Sequence, residues 1–275
     1  MPVVIAEALV LAGAVDGVPL SHPRILYDDI FGLSDTTLVA STEATGFPKE
    51  NAADYLTYDF WKGTADSATL EAQAATAHFI DYALIAAHNM GDVGGAAQFS
   101  YHNGSSWVDL TIEVNPGSNR VLAFLFPEVF ASRVRVEVTS DNSPANPPNL
   151  GVVMAGKALA MQRGQPLTNK PMLFSRKTVF NTNTSEGGQF LGRSVRRQGV
   201  EPPLRFENLT AAWVRQHFEP FVTHVQNKGF FGFVESPVDY PNDVAYGTCD
   251  LDIQPSHDGL PDRMNVEFAM KGLRE

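Results

Sequence analysis

Two histidines in the first half of the chain, His88 and His102, are the residues best suited to acid–base chemistry. A histidine acting as general acid or base needs a carboxylate or a nucleophile within hydrogen-bonding distance. Asp92 is close in sequence to His88, but the chain has no nucleophile motif such as G-x-S-x-G. We therefore expect both histidines to cap loops, and we expect the protein not to be an enzyme.

A second group of residues could bind a carbohydrate. Aromatic side chains crowd the segment "DYLTYDFWKG" (54–63), and aromatic rings stack on the apolar faces of sugars. With polar groups beside the rings, Asp59, Trp61 and His102 are the candidate sugar-binding residues. The alternative is that the aromatic side chains of this segment pack the core of a domain.

A third group could bind another protein. The segment "GRSVRRQGVEPPLR" (192–205) concentrates arginines between glycines and prolines, which indicates an exposed, extended stretch. The alternative to a docking strip is a solvated loop. In "GFFGFV" (229–234), neighbouring phenylalanines point to opposite faces of a predicted strand, towards the core or a subunit contact. The candidate subunit-contact residues are Arg193, Arg196, Arg197, Arg205, Phe230 and Phe231.

The distribution of charge separates the chain into two parts. The net charge of the 275 residues is −11. Residues 1–160 contain 7 Lys and Arg against 18 Asp and Glu, whereas residues 161–275 contain 13 of each. An acidic first half disfavours nucleic-acid binding, because phosphates require a basic surface. It also offers a docking surface of opposite sign to the arginines of 192–205.

Metal ions and cofactors are not predicted. The acidic segment "DLDIQPSHDGLPD" (250–262) has Pro255 and Pro261 where a calcium-binding EF-hand loop requires Gly and Glu. Cys249 is the single cysteine, so neither an intrachain disulfide nor a multi-cysteine metal site can form. The apolar N-terminal run carries Glu7 and no basic residue before Arg24, so we expect neither a secretory signal nor membrane insertion.

Periodicity predicts a mainly β chain. In "SRVRVEVTS" (132–140) valines alternate with charged residues, and "FIDYALIAAHN" (79–89) has the pattern of a strand buried on both faces. "QFSYHNGSSWVDL" (98–110) is predicted to be a hairpin with a tight turn at Asn103-Gly104. One helix is predicted over 208–229, capped by Asn208 or Thr210 and kinked at Pro220. We place an N-terminal arm at 1–23 and a domain boundary at residues 161 and 162.

Residues 24–161 resemble the discoidin-like, galactose-binding-like β-sandwich family in three stretches: 79–89, 98–110 and "FLFPEVFASRVRVEVTS" (124–140). The resemblance implies an antiparallel sandwich, followed here by a smaller, β-rich α+β domain at 162–275. Some related sandwiches hold Ca²⁺ in an early loop, where this chain has Asp28, Asp29 and Asp35. Extracellular members clamp the sandwich with a disulfide, which this chain cannot form.

The second part resembles the C-terminal part of bacteriophage tail-tip proteins in "FFGFVESPVDYPNDVAYG" (230–247). The resemblance implies a distal-tail or baseplate subunit, made in the bacterial host cytoplasm and incorporated into the virion. Its expected partners are copies of itself in a ring of three or six, other tail proteins and a host-surface glycan. The alternative function is a monomeric carbohydrate-binding module.

Overall fold

The computed structural model describes residues 2–15, 17–141, 147–166, 169–249, 252–257 and 259–273. Before residue 161 the strands are β1 (Val3–Ile5), β2 (Ala14–Val15), β3 (Val18–Pro19), β4 (Arg24–Leu26), β5 (Thr37–Ala40), β6 (Trp61–Lys62), β7 (Ser67–His88), β8 (Ala96–His102), β9 (Trp107–Asp109), β10 (Leu122–Thr139), β11 (Asn149–Gly156) and β12 (Leu159–Ala160).

After residue 161 the strands are β13 (Arg176–Thr184), β14 (Phe190–Val200), β15 (Pro203–Thr210), β16 (Phe230–Ser236), β17 (Tyr240–Thr248), β18 (Ser256–His257), β19 (Arg263–Ala269) and β20 (Lys271–Leu273). The α-helices are α1 (Glu7–Ala12), α2 (Met90–Val93), α3 (Ala211–Trp213) and α4 (Glu219–Asn227). Short 3₁₀ turns occupy Lys49–Ala52 and Met172–Phe174. No helix in the described part of the chain is long and apolar enough to span a membrane.

The two longest strands, β7 and β10, build the first half as an antiparallel β-sandwich. They pair along most of their length, with register shifts between Leu125 and Val129 and between Ala131 and Arg133. Pro127, which cannot donate to a ladder, lies in the first shift, and there the strands bend over. Their two halves thereby form two facing layers, so that Phe99 of β8 packs against Phe124 of β10 at 5.3 Å between ring centroids. The predicted fold class, mainly β with an antiparallel sandwich, is confirmed.

Of the strand predicted over 79–89, residues 80–86 are buried on both faces, whereas Phe79 is 54% exposed and the strand ends at His88. Ile85 contributes to the core between the sandwich layers, whereas Leu84 faces a second core shared with the C-terminal half. A strand of the C-terminal half, β16, crosses this second core so closely that a Cβ on Gly232 would lie 2.4 Å from a methyl carbon of Leu84. The back of the sandwich is therefore covered by the second half of the same chain.

The C-terminal half is a β-rich α+β unit. Its main sheet has the order β12-β4-β16-β17-β20-β14-β13, and a smaller sheet has the order β15-β19-β18. Strands β4 and β12 come from the segment that the sequence analysis places in the sandwich. Phenylalanine rings from the helices and both sheets fill the core between them: Phe206, Phe218, Phe221, Phe231 and Phe268.

The predicted helix is present but interrupted. Thr210 is its N-cap, accepting a hydrogen bond from the Trp213 N–H. Residues Val214–Phe218 form a π-helical segment directly before Pro220, the residue at which a kink is predicted. Gly229 follows the helix with φ +81°, as expected for a glycine beyond a helix end.

Two local predictions differ from the structure. The hairpin over 98–110 is confirmed, but residues 103–106 form its loop, because the Asn103 side chain accepts hydrogen bonds from the N–H groups of Ser105 and Ser106. A two-residue turn is therefore wrong. The N-terminal segment does not project as an arm, since β1 pairs in parallel with β10 of its own chain and Leu9 is buried.

Candidate functional site: an exposed arm, a bend patch and a junction cleft

An exposed two-stranded ribbon projects from the edge of the C-terminal sheet. We call residues 176–200, which comprise β13 and β14, the arm. Within the described residues, Val200 paired with Gly272 is the ribbon's single connection to the ladder of the main sheet. From residue 179 to residue 198 the strand residues are all exposed. At about 3.3 Å per residue, the ribbon is about 30 Å long.

One face of the arm is apolar. The register pairs Phe180 with Val195 and Thr184 with Phe190, which places Phe180, Val195 and Phe190 on the same face. Phe190 is 86% exposed, and Leu191, at a register shift beside it, is 67% exposed. A ribbon of this kind has no core of its own to bury these side chains.

The arm is also basic. It contains five Lys and Arg residues and one Glu, a net charge of +4. The guanidinium of Arg193 lies 3.3 Å from the centroid of the Phe180 ring, so charge and apolar surface are on the same face. The predicted contact residues Arg193, Arg196 and Arg197 therefore all lie on an exposed surface.

The other three predicted contact residues lie elsewhere. Phe231 is wrong as a contact residue, because its side chain is fully buried and packs edge-on against Phe221 at 5.1 Å. Phe230 stacks between Tyr55 and Tyr246 inside the chain. Arg205 lies on β15, off the arm, and pairs with Glu207 at 2.8 Å.

A second surface lies at the bend of the sandwich, where β7 and β10 fold over. Phe79 and Phe130 are directly paired in the ladder and are 54% and 62% exposed, with ring centroids 4.8 Å apart. They line a cavity of about 440 Å³ together with Asp28, Glu128 and Lys157. We call these five residues the bend patch.

The bend patch is acidic. Lys157 Nζ lies 3.1 Å from Asp81 Oδ2 and also pairs with Glu128. Asp81 is buried, and burial raises its pKa to about 6, while the neighbouring Lys157 opposes the rise. Within the bend patch itself, the carboxyl groups of Asp28 and Glu128 outnumber the one ammonium group, that of Lys157.

A third feature is a cleft where the two halves of the chain meet. The cleft has a volume of about 530 Å³, and Asp28 and Lys157 line both this cleft and the bend patch. Rings of Tyr27, Trp213 and His217 and the amide of Gln216 line it. Burial raises the pKa of the Tyr27 hydroxyl to about 12, so this hydroxyl stays protonated at neutral pH. We call this feature the junction cleft.

The predicted sugar-binding residues do not form a site. Trp61 has no exposed surface, and its Nε1 donates to the Thr42 carbonyl at 3.1 Å, so its ring cannot stack on a ligand. Asp59 lies next to Asp54, and its Oδ1 is buried without a hydrogen-bond partner. His102 lies in the 98–110 hairpin, where its Nδ1 accepts from the Gly104 N–H and its ring meets Trp107 edge-on.

His88 has a structural environment. Its Nε2 is 2.8 Å from the Arg120 carbonyl, and its Nδ1 accepts from the Met90 N–H at 3.2 Å. These two bonds fit the neutral ring with the proton on Nε2. Burial lowers the pKa of His88 to about 4. Both nitrogens are thus engaged with the backbone of adjoining loops.

No group of three potential metal ligands is present among the described residues. Of the predicted loop carboxylates, Asp29 is buried and accepts hydrogen bonds from the N–H groups of Phe31, Gly32 and Ala155. It therefore organises its own loop. Asp250 and Asp258 of the acidic C-terminal segment lie outside the described residues.

Sequence reasoning missed the bend patch and the junction cleft. A signal for the first was present, because Phe79 precedes the buried run and Pro127 interrupts the partner strand. Trp213 and His217 are four positions apart, a spacing that places them on one face of the helix predicted over 208–229. The π-helical segment between them changes which side chains share a face, and spacing alone does not show it.

No family model matches the chain, and neither does any curated protein. Solved structures that are similar include a pectin-binding carbohydrate-binding module (16% identity, TM-score 0.36), with 44% of this chain and 89% of that module covered. A CBM32 module of Clostridium perfringens in complex with GalNAc-β-1,3-galactose is 10% identical (TM-score 0.39), with 46% and 99% covered. Chitosan-binding module 2 of a Paenibacillus sp. IK-5 chitosanase/glucanase, in complex with chitotriose, is 14% identical (TM-score 0.39), with 46% and 99% covered. Likeness at this level does not identify a ligand for this chain.

Proposed function

We propose that this protein is a structural subunit that assembles with copies of itself through the arm. The observation that carries the proposal is the exposed apolar face of an isolated ribbon, with Phe190 86% exposed. A two-stranded ribbon is marginally stable alone, and contiguous exposed apolar surface marks an interaction site. The proposal therefore assigns the arm to contacts between subunits.

The proposed setting is the tail tip or baseplate of a tailed bacteriophage, with three or six copies in a ring. This part of the proposal rests on the resemblance of residues 230–247 to tail-tip proteins. The subunit would be made in the host cytoplasm and would contact other tail proteins in the virion. No reaction is assigned to it.

The test is the absolute mass in solution, measured by light scattering over a range of concentrations. We expect a closed oligomer of three or six chains of 29.9 kDa each. Phe190→Ser combined with Leu191→Ser should yield monomers that melt at the temperature of wild type held dilute enough to be monomeric, because both side chains are exposed in the single chain. Ile112→Ser, at a 73% exposed position of the sandwich, is the matched control and should leave the mass unchanged.

Reversing the charge of the arm is an independent variant. Arg193→Glu, Arg196→Glu and Arg197→Glu together should block assembly and leave the fold intact. A lower melting temperature with assembly unchanged would contradict the assignment of these arginines. A wild-type chain that stays monomeric at every concentration would overturn self-assembly.

The second candidate function is carbohydrate binding, and the junction cleft favours it. Exposed ring surface beside amide and carboxylate groups is the chemistry that binds sugars. Saturable binding of an oligosaccharide in a glycan screen, lost in Trp213→Ala without loss of fold, would support this function. Phe190→Ser on the arm is the control and should bind normally.

A further inference from the structure

The arm and the bend patch have complementary chemistry. One face of the arm presents Phe180, Val195 and Phe190 together with Arg193, and the bend patch presents Phe79 and Phe130 together with the carboxylates of Asp28 and Glu128. Each surface combines apolar rings with charge, and the two charges have opposite signs. Such an arrangement favours burial of the rings and fixes the register of the charged rim.

Neither surface is covered within the single chain. Phe190 and Leu191 are exposed at one end of the C-terminal sheet, and Phe79 and Phe130 are exposed at the bend of the sandwich. The rings of Phe79 and Phe130 are in contact, and each side chain is more than half exposed. No other pair of contacting phenylalanines among the described residues has both members exposed to this extent. Both surfaces are therefore available to another molecule.

We propose that the arm of one copy docks on the bend patch of a second copy. This inference rests on the proposed self-assembly and names the surface that receives the arm. Phe190 and Leu191 would cover Phe79 and Phe130, and the arginines of the arm would face Glu128 and Asp28. The two surfaces are different, so the contact is head-to-tail and generates a ring when the rotation between subunits closes.

The head-to-tail geometry permits a mixing experiment with two variants of the full-length chain. One variant carries Phe190→Ser and Leu191→Ser and has an intact bend patch. The other carries Phe79→Ser and Phe130→Ser and has an intact arm. Each variant alone should be monomeric by light scattering, and an equimolar mixture should form a one-to-one complex that grows no further.

The outcomes distinguish the inference from the proposed function. If the variant with the altered bend patch still assembles to the wild-type mass, the arm docks elsewhere or on another arm, and the inference is wrong while self-assembly stands. If the wild-type chain is monomeric, the proposed function fails first. Ile112→Ser again serves as the control.

A charge variant covers the case in which the phenylalanine double variant fails to fold. Glu128 is exposed on the bend, so Glu128→Lys should fold and lose assembly. Mixing it with the Arg193→Glu, Arg196→Glu, Arg197→Glu variant should restore assembly, because each partner keeps one native surface. Wild-type assembly by Glu128→Lys alone would overturn the inference.

Discussion

The chain contains two long antiparallel strand pairs with opposite environments. β7 and β10 pair over the length of the sandwich, and β13 and β14 pair along the arm; each pair contains two register shifts. The first pair places valines such as Val134 and Val136 in a core, whereas the second is surrounded by solvent. The same ladder of backbone hydrogen bonds thus holds a buried core in one place and leaves both faces exposed to solvent in the other.

The largest expected change in the free energy of unfolding comes from a substitution in the buried strand pair, β7 and β10. Phe124→Ala should lower the free energy of unfolding by about 3–5 kcal/mol, because it leaves a cavity between the sandwich layers. Phe190→Ala on the arm should change it by less than about 0.5 kcal/mol when the chain is held dilute enough to be monomeric. Urea denaturation of both variants measures the difference. Equal losses would mean that the arm is part of the folded core.

A pH-dependent contribution should come from the end of β7. His88 has a pKa of about 4 in the folded protein and 6.5 as its ordinary value, so its contribution to stability is complete above pH 6.5 and is lost as the pH falls through 4. A shift of this size corresponds to about 3 kcal/mol. His88→Gln should remove this dependence from the stability profile.

The pH profile of His88→Gln must be compared with that of wild type, because buried carboxyl groups change the stability with pH in the opposite direction. Burial raises the pKa of Asp29 and of Asp81 to about 6, so their contributions fall as the pH rises from 3.8 through 6. Leu70→Ala is the control, since it removes a buried side chain without a titratable group. If wild type and His88→Gln have parallel profiles between pH 4 and 6.5, the role of His88 is refuted.

A smaller effect is expected within the arm. Phe180→Ala removes the ring on which Arg193 stacks, a contact of about 0.5–1 kcal/mol at an exposed site. Amide hydrogen exchange should become faster between residues 179 and 197, with no change in the unfolding of the sandwich. Faster exchange throughout the chain would show that the two strand pairs are coupled.

The smallest effect is expected at Arg205. Its ion pair with Glu207 is exposed, and pairs of this kind contribute little to stability. Arg205→Ala should change the free energy of unfolding by less than about 0.5 kcal/mol and leave the mass in solution unchanged. A monomeric Arg205→Ala variant would extend the contact surface beyond the arm.

Elements with strong alternation could be predicted from the sequence. Val134, Val136 and Val138 are buried as their spacing requires, and residues 80–86 are buried as a continuous apolar run predicts. Thr210 caps the helix because a short polar side chain precedes an amphipathic stretch. These features depend on near neighbours in the chain, and local patterns describe them well.

The candidate surfaces depend on neighbours that are distant in the chain. Trp61 has the residue type of a sugar-binding platform, and only the packing of β6 against β11 shows that it is buried. Phe79 and Phe130 lie about fifty positions apart, and the bend of two strands brings them together. The arm is exposed for the opposite reason, because no distant part of the chain packs on it. Its alternation of Thr, Asn and Val does not show that both of its faces are uncovered.

The close approach at Gly232 has a consequence for handling the protein in pieces. Cutting the chain after Met161 would deprive β16 of its partner β4 and would leave the apolar back of the sandwich, including Leu84 and Met154, in contact with water. Fragments made at the boundary predicted from the sequence should therefore precipitate when expressed separately. When the two fragments are co-expressed, they should become soluble, because the pairing of β4 with β16 and the core shared by the two halves can form again.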